Sequence, residues 1–199
     1  EALAQAGLNA KGGTLVVTLE PCCHQGRTPP CTEAIIRYGI SKVIVALKDP
    51  DPRVSGEGIV RLKDVGIEVE LGILEKEAAY QNRAFIFRIS KKRPFGILKW
   101  AMSFDGRTSL LNGQSKWISN KESRHRTHLL RSKCDAVIVG GGTVRSDDPL
   151  LTSRGLSSHE PLRVVLTKSF DLPSKAQLWQ TSIANTLVAY DGNISNKKI

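Results

Sequence analysis

No apolar run in this chain approaches the ~20 residues needed to cross a bilayer, which excludes a membrane-spanning helix. Aromatic residues make up only 6% of it, so platforms for stacking single-stranded nucleic acid are scarce. Its four cysteines, three clustered at Cys22, Cys23 and Cys31 and one alone at Cys134, do not pattern as a disulfide framework. A reducing compartment and a metal site suit them better. There is no internal repeat, no low-complexity tract and no Gly-x-Gly-x-x-Gly fingerprint, so no Rossmann-type dinucleotide site is expected. The opening residues carry no secretory-signal pattern. Acidic residues are also short: 19 against 29 basic ones, giving a net charge of +10.

What is present describes a globular protein of 199 residues, 40% hydrophobic and 24% charged, long enough for one large or two small domains. The positive charge is scattered, densest at Lys91-Lys-Arg93 and from Lys121 to Lys133, and forms no stripe. Solvated faces and a few phosphate-binding residues account for it better than a nucleic-acid interface.

The most informative segment is Thr18-Leu-Glu-Pro-Cys22-Cys-His24-Gln-Gly-Arg27-Thr-Pro-Pro-Cys31. A strand over Thr14 to Leu19 runs into it and a helix from Thr32 to Tyr38 leaves it. Thiols where a strand ends and a helix begins have their pKa lowered by the helix N-terminus. Cys22 and Cys31 therefore make half of a zinc site; a catalytic zinc takes three protein ligands and leaves a fourth position open. The plain alternative is a pair of buried reduced thiols, but a loop rich in Pro, Gly, Arg and Thr is a poor core. Cys23 is expected to face into the fold. His24 has three readings, as a third ligand, a substrate contact or a loop hydrogen-bonding group, and substrate contact is favoured. The opening 1–7 reads as the tail of an amphipathic helix, and the chain stops at 197–199 just after a strand, so the sequence is read as a fragment cut at both ends.

Strands over Lys42 to Leu47 and Ile67 to Leu71 alternate with helices over Gly58 to Val65 and Leu74 to Ile89, the pattern of a mostly parallel sheet. Ser90-Lys-Lys-Arg-Pro94 is the expected boundary between domains at 1–90 and 91–199. A second alternation begins at Phe95 to Ala101. Ser119-Asn-Lys-Glu122 matches a capping box with Ser119 as the cap, opening a helix to about Arg131. Further strands are expected at Asp135 to Val139, Arg163 to Leu166 and Thr186 to Tyr190.

In the common signature of zinc deaminases the second Cys follows Pro-Cys after two residues; here eight intervene. With that long loop, Thr18 to Cys31 resembles the deaminase loop of the bifunctional riboflavin-biosynthesis enzymes, which join diaminohydroxyphosphoribosylaminopyrimidine deaminase to 5-amino-6-(5-phosphoribosylamino)uracil reductase. The resemblance continues through Lys48-Asp-Pro-Asp-Pro52, Gly56-Glu-Gly58, Gly66-Ile67 and Asn82. It then runs through Lys99-Trp-Ala-Met-Ser-Phe-Asp-Gly-Arg107, Gly113-Gln-Ser115-Lys-Trp117-Ile-Ser119 and Gly140-Gly-Gly-Thr143-Val-Arg-Ser-Asp147-Asp148-Pro149. Ser119 stands where the family often has Thr.

The resemblance implies an α/β chain: an incomplete cytidine-deaminase-like sandwich, then an incomplete dihydrofolate-reductase-like domain. It implies Zn2+ held by Cys22, Cys31 and a His upstream, with the acid/base Glu also upstream of Glu1, which is not that Glu. It implies substrate contacts at Lys99, Ser115, Arg131, Leu151 and Arg154, with NADPH near Ala101, Trp117, Thr143 and Asp147. Plain readings stand beside these: Trp117 as core packing, Asp147 as a helix cap, Arg131 as a helix C-terminal cation. The implied reactions are hydrolytic deamination of a phosphorylated pyrimidine, then hydride delivery to C1′ of its ribose. The implied setting is a bacterial cytoplasm or plant plastid stroma, with a small-molecule substrate, neither nucleic acid nor membrane as partner, and room for a homo-oligomer. A nucleic-acid base deaminase and a non-catalytic zinc-tied module are the rivals. As it stands, the chain is expected to bind zinc weakly, to release no ammonia and to oxidise NADPH negligibly.

Overall fold

The computed structural model describes residues 1–26 and 28–191; Arg27 of the cysteine loop and the chain end at 197–199 lie outside the described residues. The chain divides into two compact units, Glu1–Leu98 and Lys99–Ile199.

The first unit opens with a short helix, α1 (Ala2–Ala6), and a single 3-10 turn. It then alternates β1 (Thr14–Val17), α2 (Cys31–Arg37), β2 (Lys42–Val45), α3 (Glu57–Asp64) and β3 (Glu68–Leu71). The sheet order is β1-β2-β3, all parallel, with Val16 opposite Ile44 and Ile44 opposite Glu70. Central β2 sends Val43 and Val45, both fully buried, into a core with Ile35 of α2, Leu62 of α3, Ala10, Ile40 and Ile67. Each such aliphatic side chain contributes about 1.5–3 kcal/mol of transfer free energy, which is what fixes the helices on the sheet.

Two helices follow, α4 (Glu75–Gln81) and α5 (Arg83–Lys91), where the sequence pattern predicts one continuous helix over 74–89. The break falls at Asn82, whose backbone sits at φ −91°, ψ 9° and whose side-chain amide donates to the Ala78 carbonyl at 2.9 Å. Asparagine competes with the backbone for hydrogen bonds in this way and interrupts helices.

The second unit contains α6 (Lys121–Arg131), β4 (Ala136–Gly140), α7 (Gly141–Asp147), β5 (Leu162–Thr167) and β6 (Thr186–Tyr190), with the sheet again parallel, in order β4-β5-β6. Its core joins Val144, Val165, Ala176 and Leu178. Two expectations are corrected. The cap of α6 is Asn120, whose Oδ1 accepts from the Ser123 amide at 2.8 Å; Ser119 instead offers its carbonyl to the Arg124 guanidinium. Asn is as strong a cap as Ser, and the box is displaced by one residue. Phe95 to Ala101 has no ladder partner among the described residues, so it runs as irregular chain with Leu98 and Trp100 exposed. No helix is long and apolar enough to cross a membrane among the described residues.

Candidate functional site

In the first unit the C-terminal ends of β1 and β2 bring two loops together. The Glu20 amide donates to the Leu47 carbonyl at 2.9 Å, which continues the β1–β2 pairing into the loops. The Glu20 side chain is buried. One of its oxygens accepts from the amides of Asp49 (3.2 Å) and Gly56 (2.9 Å), the other from the Ile59 amide (3.2 Å). The carboxylate thus fixes the 49–59 loop under the cysteine segment. Gly58 makes this approach possible: a Cβ there would lie 2.0 Å from the Pro21 carbonyl oxygen.

Cys22 and Cys31, nine positions apart, meet: the Cys31 amide donates to the Cys22 sulfur at 3.4 Å. Buried Thr32 closes the loop from below, its amide and hydroxyl both donating to the Cys22 carbonyl, at 3.2 and 3.3 Å. Burial pushes the Cys31 thiol up, and the Cys22 thiol beside it pushes it further. Two sulfurs held so close are the arrangement a soft cation relieves.

Among the described residues His24 has a buried Nδ1 with no hydrogen-bond partner, and it lies near both Asp49 and Asp51. Burial pushes the Asp49 carboxyl up against the pull of the Asp51 amide, which donates to it at 2.8 Å. Asp51 is held well below the usual carboxylate range by the Arg53 guanidinium, 2.5 Å away. Cys23 is half-buried, its sulfur 3.8 Å from a Glu57 carboxylate oxygen of α3; burial and then Glu57 push its thiol up.

Among the described residues no group of three or more His, Cys, Asp or Glu side chains could enclose a metal. The donors that are together, two thiols with an unpartnered imidazole nitrogen on the same loop, nevertheless suit Zn2+ in kind. The fit is that of a partial donor set.

In the second unit the expected site residues fall into groups. At the end of α6, Arg131 donates to the Thr152 carbonyl at 3.5 Å. Burial, and after it the charge of Arg154, push the Arg131 guanidinium below its ordinary range. Leu151 is buried, and it and Arg154 both take left-handed backbone, at φ 59° and 60°. Arg131, Leu151 and Arg154 therefore gather. His128, one turn back on α6, belongs with them: burial, Arg131 and Arg154 push its imidazole down, and its Nδ1 is buried without a partner among the described residues.

A second group links Ser115, whose hydroxyl donates to Asp147 at 3.5 Å, with α7, where Thr143 also lies half-buried. Trp117 is exposed beneath the Arg124 guanidinium, 4.2 Å from the ring centroid, so it is not core packing. Exposed Lys99 and half-buried Ala101 lie on the irregular segment before it, and no side-chain hydrogen bond or ion pair joins them to either group among the described residues. Of the three successive glycines, Gly141 serves packing, since a Cβ would meet the Thr167 hydroxyl at 2.6 Å; Gly140 and Gly142 face open space. An exposed ring and two open glycines are compatible with a nucleotide cofactor approaching the backbone.

Several residues at these sites escaped sequence reasoning. Glu20 carried one usable signal, an acid directly after an apolar strand and before Pro21. His128 carried none, and neither did Ser153 and Glu160, which lie next to Arg154 in the fold and are joined by two hydrogen bonds of 2.6 Å.

Comparison with known proteins finds a matching family model in each half of the chain. Residues 94–199 match the family model described as the RibD C-terminal domain, and residues 1–47 match the cytidine and deoxycytidylate deaminase zinc-binding region. The riboflavin biosynthesis protein RibD of Synechocystis sp. is 56% identical over 187 residues, covering 94% of this chain and 51% of that protein. Its counterpart from Aquifex aeolicus is 50% identical over 188 residues, covering 94% and 53%. A Thermotoga maritima structure, described as a diaminohydroxyphosphoribosylaminopyrimidine deaminase/5-amino-6-(5-phosphoribosylamino)uracil reductase, superposes with a TM-score of 0.85 at 40% identity, covering 94% of this chain and 53% of that one. Acinetobacter baumannii RibD gives 0.84 at 42%, covering 96% and 55%. The chain spans about half the length of the curated relatives it matches.

Proposed function

The chain belongs to the RibD family, through the RibD C-terminal domain that fills more than half of it, and on that premise we propose that the whole protein carries two consecutive activities of riboflavin biosynthesis. Residues 1–90 serve a zinc-dependent deaminase acting on 2,5-diamino-6-(5-phosphoribosylamino)pyrimidin-4-one. Residues 91–199 serve an NADPH-dependent reductase that opens the ribosyl group to a ribityl chain. The observation that carries this reading is the pairing of Cys22 with Cys31 in a chain that also gathers Arg131, Leu151 and Arg154.

In the deaminase half, Cys22 and Cys31 would hold Zn2+. When bound, Zn2+ lowers the pKa of water and so supplies hydroxide at neutral pH. Thr32 fixes the Cys22 backbone beneath it, and Glu20 holds the neighbouring loop against displacement. His24, with a free buried nitrogen, can donate to or accept from a pyrimidine edge. In the reductase half, NADPH supplies the hydride. Ala101, Trp117, Thr143 and Asp147 border the cofactor, while Lys99, Ser115, Leu151 and the two arginines orient the substrate. Arg131 and Arg154 have no carboxylate ion-pair partner among the described residues, so their donors are available to a phosphate.

The substrate is then a phosphorylated small molecule rather than a nucleic acid or a membrane surface, in a bacterial cytoplasm or plastid stroma. Scarce aromatics and scattered basic residues support that choice. The test uses the whole protein. Cys22→Ser and Cys31→Ser should each strip zinc and abolish ammonia release while leaving NADPH oxidation with the deaminated substrate intact. Retained zinc and unchanged ammonia release in both variants would sink the deaminase assignment.

A further inference from the structure

Arg154 reaches the cationic group from an unusual backbone. It ends the run Leu151-Thr-Ser-Arg154, whose first and last residues both have φ near +60° and whose middle residues, Thr152 and Ser153, are buried. Side-chain-bearing residues leave the left-handed region readily unless something outside the run holds them there. Here the holding group is Glu160. Its two carboxylate oxygens accept from the Ser153 amide and the Ser153 hydroxyl, both at 2.6 Å. The result is a two-point clamp on the residue immediately before Arg154. A second brace comes from within the run, where the Arg154 amide donates to the Thr152 hydroxyl at 3.4 Å. The Thr152 carbonyl, on the same rigid stretch, accepts from Arg131. One carboxylate thus fixes the spacing of two guanidinium groups that repel each other.

We propose that Glu160 and Ser153 are positioning residues for phosphate recognition: their hydrogen bonds hold Arg154 beside Arg131 so that the two cations meet one phosphate monoester together. The inference rests on the phosphate reading of those arginines given above. Two like charges close together cost free energy in the empty site, and a dianion offsets that cost only if both are already in place. Without the clamp, Arg154 relaxes away from Arg131 and a dianion has to draw it back.

The test is calorimetric titration of ribose 5-phosphate into the full chain and its variants, with thermal unfolding recorded for each. Arg154→Ala should weaken binding by on the order of tenfold, the loss of a charge-assisted contact. Glu160→Ala should weaken it by a similar factor. Glu160→Gln, which keeps an acceptor for Ser153, should recover part of the loss. The decisive variant combines Glu160→Ala with Arg154→Ala: it should bind no more weakly than Arg154→Ala alone, because Glu160 acts through Arg154. A purely structural Glu160 would give additive losses instead, and additivity overturns the proposal. So does a Glu160→Ala chain that binds as the unaltered one does. If Glu160→Ala does not fold, Glu160→Gln and Ser153→Ala carry the same comparison, and unaltered binding in both overturns it. Failure of the unaltered chain to bind, or indifference to Arg154→Ala, removes the phosphate reading itself and this inference with it.

Discussion

Two acids, buried Glu20 and half-buried Glu160, do the same physical task in the two units, and they differ in what they leave behind if removed. Glu20 lies in the loop just after β1 and accepts three backbone amides that have no other partner among the described residues. Glu160 lies in a connection and accepts one amide and one hydroxyl. The first acid is wired into the fold of its unit; the second mainly fixes the shape of a loop. The metal half-site, its two sulfurs nine positions apart, therefore rests on long-range ties, Glu20 reaching across 29, 36 and 39 positions. The cationic group is held by shorter ties in sequence, Glu160 reaching Ser153 across 7 positions and Arg131 reaching Thr152 across 21.

The largest way to break this comparison is Glu20→Ala. It would leave one buried and two part-buried amides unpaired, at about 1–3 kcal/mol each if none finds water. Partial relaxation brings the expected loss to about 3–5 kcal/mol. Urea unfolding of the chain should show a first transition shifted to lower denaturant with the second unit's transition unmoved. A loss below about 1 kcal/mol would mean that Glu20 is not a structural keystone.

Next comes a pair of glycines. Gly58→Ala forces a Cβ onto the Pro21 carbonyl, a backbone atom that cannot rotate aside. Gly141→Ala forces one onto the Thr167 side chain, which can. The first should cost about 3 kcal/mol and the second about 1 kcal/mol, from the usual cost of overpacking. Equal losses in thermal unfolding would show that the two helix–loop approaches are equally unyielding, and the contrast between the units would fade.

The regular elements of both units were largely visible in the sequence, and for one reason. Strands of a parallel sheet read as short apolar runs, so Lys42 to Val45, Ala136 to Gly140, Leu162 to Thr167 and Thr186 to Tyr190 emerge within a residue or two of expectation. The misses occur where a polar side chain decides. Asn82 breaks a helix and Asn120 takes over a cap, and both act through a single hydrogen bond that periodicity cannot register. Phe95 to Ala101 has the composition of a strand but lacks a neighbour to pair with among the described residues, and pairing is a property of the sheet rather than of the segment. At the sites, the cysteine pair was legible from spacing, whereas Arg131, Leu151 and Arg154 were named only through family resemblance. Glu160 was invisible, since an acid before a proline in a polar stretch looks like any surface residue until Ser153 is seen to be buried against it.

The smallest effect concerns protons, and it sharpens the comparison at its second member. Burial pushes the Glu160 carboxyl up, but the Ser153 hydroxyl and amide, the Gly155 amide and the nearby His159 charge outweigh it and hold the carboxyl below its ordinary value. A carboxyl depressed in the folded state adds stability that is present above the unfolded-state pKa and is lost as pH falls through the folded one. The second unit's melting temperature should therefore decline as pH drops below about 4, the ordinary carboxylate range. In Glu160→Gln that part of the decline should vanish, leaving a flatter profile set by the other acids. Because the group is partly solvated, the difference should be small and should shrink as salt is added. A Glu160→Gln profile parallel to that of the unaltered chain across this range would mean that Ser153 is held by geometry alone, and that the charge on Glu160 contributes nothing to the clamp.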